Sequence, residues 1–304
     1  MSREFDWTAE ERAAKAQELR ANSLIATTLT PEMEADLQLV DVTELSVLTR
    51  AGASRVLQVV PKAEREGLRP LVINLHGSGF VRGYQHRDTV FCAHLASQLD
   101  AVVLDIDYRL APEHPFPTAL HEIYDITAWA FANAGRLEVD PARIALGGHS
   151  AGGNLTAAVC LMASRSGDFK ICAQFLDYPF LDAVTEPEDK LEPHSIFSAD
   201  RLRAFSALYG VKRVNFSNPL MSPLYADPAQ LKKQPPAFIM IAGLDPLRRE
   251  AQRYAGCLVD AGVDVTVRQF EDCDHGFLIA GQARHLEARK VLVDWLHQRL
   301  GDQD

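Results

Sequence analysis

Apolar positions along the chain follow two alternating rhythms. "PLVINLHG" and "AVVLDIDY" are almost continuous runs of branched aliphatic residues, whereas "HRDTVFCAHLASQL" brings Phe91, Leu95 and Leu99 onto one face at helical spacing. The first rhythm predicts strands buried on both sides, and the second predicts the helices that cover them. Strands are expected in "LQLVDVTELSVLTR", its hairpin partner "SRVLQVVP", "PLVINLHG", "AVVLDIDY", "RIALGG", "ICAQFLDYP", "PPAFIMIAGL" and "DVTVRQF". Between and after them lie the helical segments "PTALHEIYDITAWAFAN", "NLTAAVCLMASRS", "PLRREAQRYAGCLVDAG" and "ARKVLVDWLHQRL". Alternation of this kind predicts an α/β fold: a mostly parallel eight-stranded sheet with helices on both faces.

Two regions depart from the alternation. The N-terminus reads as helix, with Thr8 and Glu11 spaced as a capping box and "TPEME" opening a second turn at Pro31. Between Asp182 and about Pro228 the chain is polar and broken by prolines, with "SADRLRAFSALYG" its clearest helix. An insertion of that size after a strand suggests a helical cap above the sheet.

Composition narrows the class. The chain has 304 residues and a formal net charge of −10, without a long block of one sign. Nucleic acid and anionic membrane are therefore poor partners. No apolar run approaches the ~18 residues of a membrane span, and the charged N-terminus lacks the apolar core of a signal peptide. Five cysteines, Cys92, Cys160, Cys172, Cys257 and Cys273, show no close pairing, which suits a reducing cytoplasm.

Candidate chemistry is concentrated in "RIALGGHSAGGNLTAAV". Gly148-His149-Ser150-Ala151-Gly152 matches G-x-S-x-G between a strand and a helix, the context in which that motif forms a nucleophile turn. The turn is so tight that residues two places either side of the serine must be small. The helix begins at once, so the Ala151 amide is expected to point at the reaction centre. Serine needs a base to take its proton, and the chain order serine, acid, histidine selects His275 in "EDCDHGF", on the loop after the last strand. His285 and His297 belong in or near the final helix. Asp245, in "IMIAGLDPLRRE", ends the preceding strand and suits the acid, although a plain helix cap would also explain it; Asp272 and Asp274 crowd His275 on its own loop.

Taken together, the chain resembles the hormone-sensitive lipase family of bacterial-type esterases and lipases in the α/β-hydrolase fold. The resemblance rests on "HGSGF" (His76 to Phe80), "YRLAPEHPFP" (Tyr108 to Pro117), "GHSAGGN" (Gly148 to Asn154), "SPLYAD" (Ser222 to Asp227), "AGLDPLRRE" (Ala242 to Glu250) and "HGF" (His275 to Phe277). It implies ester hydrolysis through an acyl-enzyme, with Ser150 as nucleophile, Asp245 as acid, His275 as base, and the amides of Gly77, Ser78 and Ala151 as oxyanion hole. It implies no metal and no organic cofactor. It divides the chain into an N-terminal part of a cap (1–45), a first core part (46–182), a cap insertion (183–225) and a second core part (226–304). Two positions depart from the family's usual pattern: Ser78 replaces the third residue of H-G-G-G, and His149 stands where aspartate is usual.

The expected substrate is a small-molecule ester, with short acyl chains favoured and pocket walls including Phe80, Tyr84, His149, Phe205 and Tyr209. The alternatives are amide or N-acyl hydrolysis by the same triad and a non-catalytic small-molecule receptor. A homodimer is consistent with the resemblance. "YRLAPEHPFP" is expected to be structural, fixing the crossover to the next helix, and His76 to brace its loop by hydrogen bonds.

Overall fold

The computed structural model describes residues 6–23, 25, 27–191 and 196–301. Parts of both expected cap segments therefore lie outside the described residues. The strands are β1 (Val40–Thr49), β2 (Gly52–Pro61), β3 (Arg69–Leu75), β4 (Val102–Asp107), β5 (Val139–His149), β6 (Ala173–Asp177), β7 (Ala237–Ala242) and β8 (Val265–Phe270). Among the described residues they form one sheet in the order β1-β2-β4-β3-β5-β6-β7-β8. Only the β1–β2 and β2–β4 pairings are antiparallel, and all the others run parallel. The expected division at residue 45 falls inside β1. That strand lies at the sheet's edge and is mostly exposed, and its start at Val40 falls within the segment expected to open the strands.

The helices are α1 (Ala9–Ala21), α2 (Pro31–Ala35), α3 (His86–Leu99), α4 (Thr118–Ala132), α5 (Ala134–Leu137), α6 (Ala151–Ser166), α7 (Ala199–Gly210), α8 (Pro228–Leu231), α9 (Arg248–Asp260), α10 (Phe277–Ala280) and α11 (His285–Leu300). Strand alternation sends neighbouring residues of β3 to opposite faces. Leu71, Ile73 and Leu75 join Ile123 and Ile126 of α4 and Leu155 and Val159 of α6 in one cluster. Val72 joins Phe91, Leu95 and Leu99 of α3 and Leu292 and Leu296 of α11 in another. Burying each such large side chain stabilises the fold by about 1.5–3 kcal/mol. Helix α6 is buried on nearly every side, as befits a helix without a polar face.

Register sets where the chemistry can sit. Leu75 pairs with both Ile106 and Gly148, and Asp177 pairs with both His149 and Met240. The C-terminal ends of these parallel strands therefore share one edge, and the loops that leave them converge there. Helices α1 and α7 pack together over that edge. Arg12 Nη1 donates to the Ala207 carbonyl at 2.9 Å, and Arg201 Nη2 donates to the Asn22 carbonyl at 2.5 Å. The insertion after β6 is fastened by buried Glu250, which accepts from the Leu181 amide at 2.6 Å and pairs with Lys190 Nζ at 2.6 Å. Among the described residues, no helix is long and apolar enough to cross a membrane.

Candidate active site

Ser150 lies between β5 and α6 with φ 56° and ψ −113°, a left-handed conformation that costs a residue with a Cβ about 1–3 kcal/mol. Two close approaches explain why glycine flanks it. A Cβ on Gly152 would stand 2.0 Å from the Leu75 carbonyl oxygen, and one on Gly148 would stand 2.5 Å from that same oxygen. The strained turn is tied from both sides: the Ser150 amide donates to the Asp177 carbonyl at 2.9 Å, and the Phe180 amide donates to the Ser150 carbonyl at 3.1 Å. Asn154, the last residue of "GHSAGGN", donates through Nδ2 to the Phe180 and Met221 carbonyls, both at 2.8 Å.

His275, on the loop after β8, places Nε2 2.8 Å from Ser150 Oγ. Its Nδ1 lies 2.6 Å from Asp245 Oδ2, and both side chains are buried. Asp245 divides its two oxygens. Oδ1 accepts from the Leu247 amide at 2.9 Å and turns the chain toward α9, while Oδ2 faces the imidazole. One carboxylate thus both caps the turn and faces His275. The competing aspartates are engaged elsewhere: Asp274 Oδ1 accepts from the His275 amide at 2.7 Å, and Asp272 Oδ1 lies 3.4 Å from Arg284 Nη1. His297 Nε2 faces the Gln98 carbonyl at 2.8 Å, far from the serine along the fold.

A cavity of about 790 Å³, including its open mouth, contains Ser150 and His275 and is lined by Gly77, Ser78 and Ala151. Among the described residues no hydrogen bond occupies the amides of those last three. The loop that carries two of them is organised by Tyr108. Its hydroxyl donates to the His76 carbonyl at 2.8 Å and lies 2.7 Å from Ser78 Oγ. A phenol has a single hydrogen, so Ser78 must be the donor in that second contact. Ser78 Oγ also accepts from the Phe80 amide at 2.9 Å, so the hydroxyl is consumed inside its own loop.

"YRLAPEHPFP" therefore does more than fix a crossover. Arg109 bonds Glu122 and Ser54, and Glu113 pairs with Arg20 of α1 at 2.6 Å, as a structural segment should. Tyr108, however, reaches the loop below the serine, and nothing in its sequence context marks that contact. His76 braces the loop differently from expectation. Its buried ring stacks on Tyr108 with centroids 4.2 Å apart and 10° between planes, and its nitrogens have no partner of hydrogen-bonding geometry among the described residues. Burial pushes its pKa down to about 3, opposed by the Gly77 main chain and helped by nearby His149 and Arg87.

Of the expected pocket residues, Phe80, His149 and Phe205 line the cavity. The His149 ring itself is wholly buried, with Nδ1 2.9 Å from Asp177 Oδ2 and its centroid 4.6 Å from that of Phe91. Burial pushes the Asp177 carboxyl up, and His149 opposes that shift. Tyr84 and Tyr209 stand outside the cavity. Tyr84 packs edge-on against His76, and Tyr209 stacks on Phe80 at 3.8 Å and 3°, so its ring supports a wall instead of forming one. Phe205 lies over Gly79, where φ is 58° and a Cβ would come within 2.6 Å of the ring. Phe180, Phe197, Leu202 and Ile279 complete the apolar wall, and Phe197 and Tyr178 both stand 4.9 Å from the His275 ring. Phe180 and Phe197 come from loops, Leu202 and Phe205 from α7 and Ile279 from the short α10.

A family model of the alpha/beta hydrolase fold matches residues 72–279, which includes Gly77, Ser78, Ser150, Asp245 and His275. The chain belongs to the family of hormone-sensitive lipase-like esterases. It is 34% identical over 226 residues to the esterase LipI of Mycobacterium tuberculosis, covering 72% of this chain and 68% of that one. It is 37% identical over 227 residues to the carboxylesterase NlhH of the same organism, covering 72% and 69%. The crystal structure of a hyperthermophilic esterase from Pyrobaculum calidifontis superposes with a TM-score of 0.80 at 30% identity, covering 96% of this chain and 98% of that one.

The geometry generates two expectations. Ser78→Gly removes two hydrogen bonds within the loop but keeps the residue-78 amide. The variant should lose about 1–2 kcal/mol of stability while kcat/KM on a short ester stays within about tenfold of the parent. A loss beyond about a hundredfold, the scale of a whole oxyanion donor, would contradict the assignment of its hydroxyl to the loop. The second concerns His76, whose folded pKa lies below the unfolded value near 6.5. Its contribution to stability is complete above that pH and is lost as pH falls toward 3. Urea unfolding at pH 6.5 and 5.0 should show the parent losing about 2 kcal/mol more than His76→Gln across the interval. Equal losses would contradict the buried neutral ring.

Proposed function

We propose that the protein is a serine carboxylesterase acting on small, short-acyl esters through an acyl-enzyme. The observation that carries the proposal is the chain of contacts from Asp245 Oδ2 to His275 Nδ1 at 2.6 Å and from His275 Nε2 to Ser150 Oγ at 2.8 Å. Membership of an esterase family supports the same reading.

In the proposed reaction Ser150 Oγ attacks the ester carbonyl carbon and its proton passes to His275 Nε2. Asp245 stabilises the imidazolium and holds its orientation. The carbonyl oxygen becomes an oxyanion facing the amides of Gly77, Ser78 and Ala151, each donor worth about 3 kcal/mol. Collapse breaks the bond to the alcohol oxygen, which leaves with the proton from His275 Nε2. A water molecule then gives a proton to the same nitrogen and attacks the acyl carbon. Collapse of that second intermediate returns the proton to Ser150 and releases the acid. Phe180, Phe197 and Phe205 offer the acyl group apolar walls.

Ser150→Ala should reduce turnover of p-nitrophenyl butyrate by about a thousandfold or more. Retention of even about a tenth of the parent rate would exclude Ser150 as nucleophile.

A further inference from the structure

Three arginines, Arg82, Arg87 and Arg201, line the cavity that holds Ser150 and His275. Arg87 is buried and donates through Nη1 to Thr27 Oγ1 at 2.8 Å. Arg201 donates to the Asn22 carbonyl at 2.5 Å and lies over the Phe205 ring with 5.4 Å to its centroid. Arg82 makes no side-chain hydrogen bond among the described residues. The Nε atom of each guanidinium is buried without a partner, and no carboxylate among the described residues forms an ion pair with any of the three.

Their surroundings leave the cluster positive. Burial and then repulsion from Arg87 and Arg201 push the Arg82 guanidinium below its ordinary value, against the influence of Asp88. Asp88 offers little compensation, because its own burial and the buried Asp105 raise its carboxyl. Glu18 opposes the effect of burial on Arg201, but it is already paired with Lys15 at 2.8 Å. Unpaired like charges in an apolar cavity are costly, and an entering anion removes that cost. The concentration of positive charge is notable in a chain whose net charge is −10.

We propose that the preferred substrates are esters that carry a carboxylate, received by Arg82, Arg87 and Arg201 while the ester carbonyl lies at Ser150. This inference rests on the esterase reading of the site. It differs from a simple electrostatic aid to the oxyanion, because such an aid would act equally on neutral and charged esters.

The test compares isosteric pairs. Monoethyl glutarate against ethyl pentanoate places the charge on the acyl side, and 3-acetoxypropanoate against propyl acetate places it on the alcohol side. In at least one pair kcat/KM for the carboxylate ester should exceed that of its neutral partner by about tenfold, and Arg82→Gln should lower this ratio by about tenfold. A ratio at or below one in both pairs, or a ratio that Arg82→Gln does not move, overturns the proposal. Should no ester of either kind be hydrolysed, the esterase reading itself fails. Calorimetric binding of both carboxylate esters to Ser150→Ala then decides the arginine site alone: weaker binding of either ester after adding Arg82→Gln sustains it, and absent or unchanged binding of both overturns it.

Discussion

The site depends on one close approach, that of the Gly152 backbone to the Leu75 carbonyl at the end of β3. No side chain fits between them, because a Cβ on Gly152 would lie 2.0 Å from that oxygen. The approach lets α6 start directly after Ser150, and it holds the serine at a φ of 56° that the free chain would avoid. It also ties two parts of the candidate site together. Leu75 leads straight into His76, Gly77 and Ser78, so the strand that restrains the Ser150 turn also supplies the loop facing it. Displacing either would displace both.

Around that contact, buried polar groups hold the geometry. Tyr108, Ser78 and His76 form a compact knot beneath the loop, and Asp245 uses one oxygen to shape its turn and the other to face His275. His149 and Asp177 form a buried pair beside Ser150. Where the family's usual aspartate is replaced by His149, a carboxylate is still present, contributed by the neighbouring strand through the His149–Asp177 register. Both departures from the usual pattern, at Ser78 and His149, are thereby absorbed by partners already in the core.

Legibility from sequence followed the physics of each element. Buried parallel strands and amphipathic helices carry strong periodicity, so β3 to β8 and their covering helices could be read directly. Ser150, Asp245 and His275 stand out because each occupies a strand-end loop in a constrained chain order, and the fold brings the three side chains into successive hydrogen-bonding contact. The exposed edge strand β1 lies inside the segment expected to be a strand, although the expected division at residue 45 cuts through it. The inward-facing residues of the insertion were not readable. Phe205 and Tyr209 sit one helical turn apart on α7, yet one lines the cavity and the other stacks on Phe80 behind it. The three arginines look like ordinary surface charges in the sequence, and only the fold brings the loop after β3, α3 and α7 to one cavity.

The proposed reaction turns on a covalent acyl intermediate formed by Ser150 with help from His275. Treating the intact protein with a fluorophosphonate and mapping the adduct by peptide mass spectrometry tests it. One stoichiometric adduct is expected on the peptide containing Ser150, with labelling greatly slowed in His275→Gln. Absence of an adduct, or modification at another residue while Ser150 stays free, would contradict it.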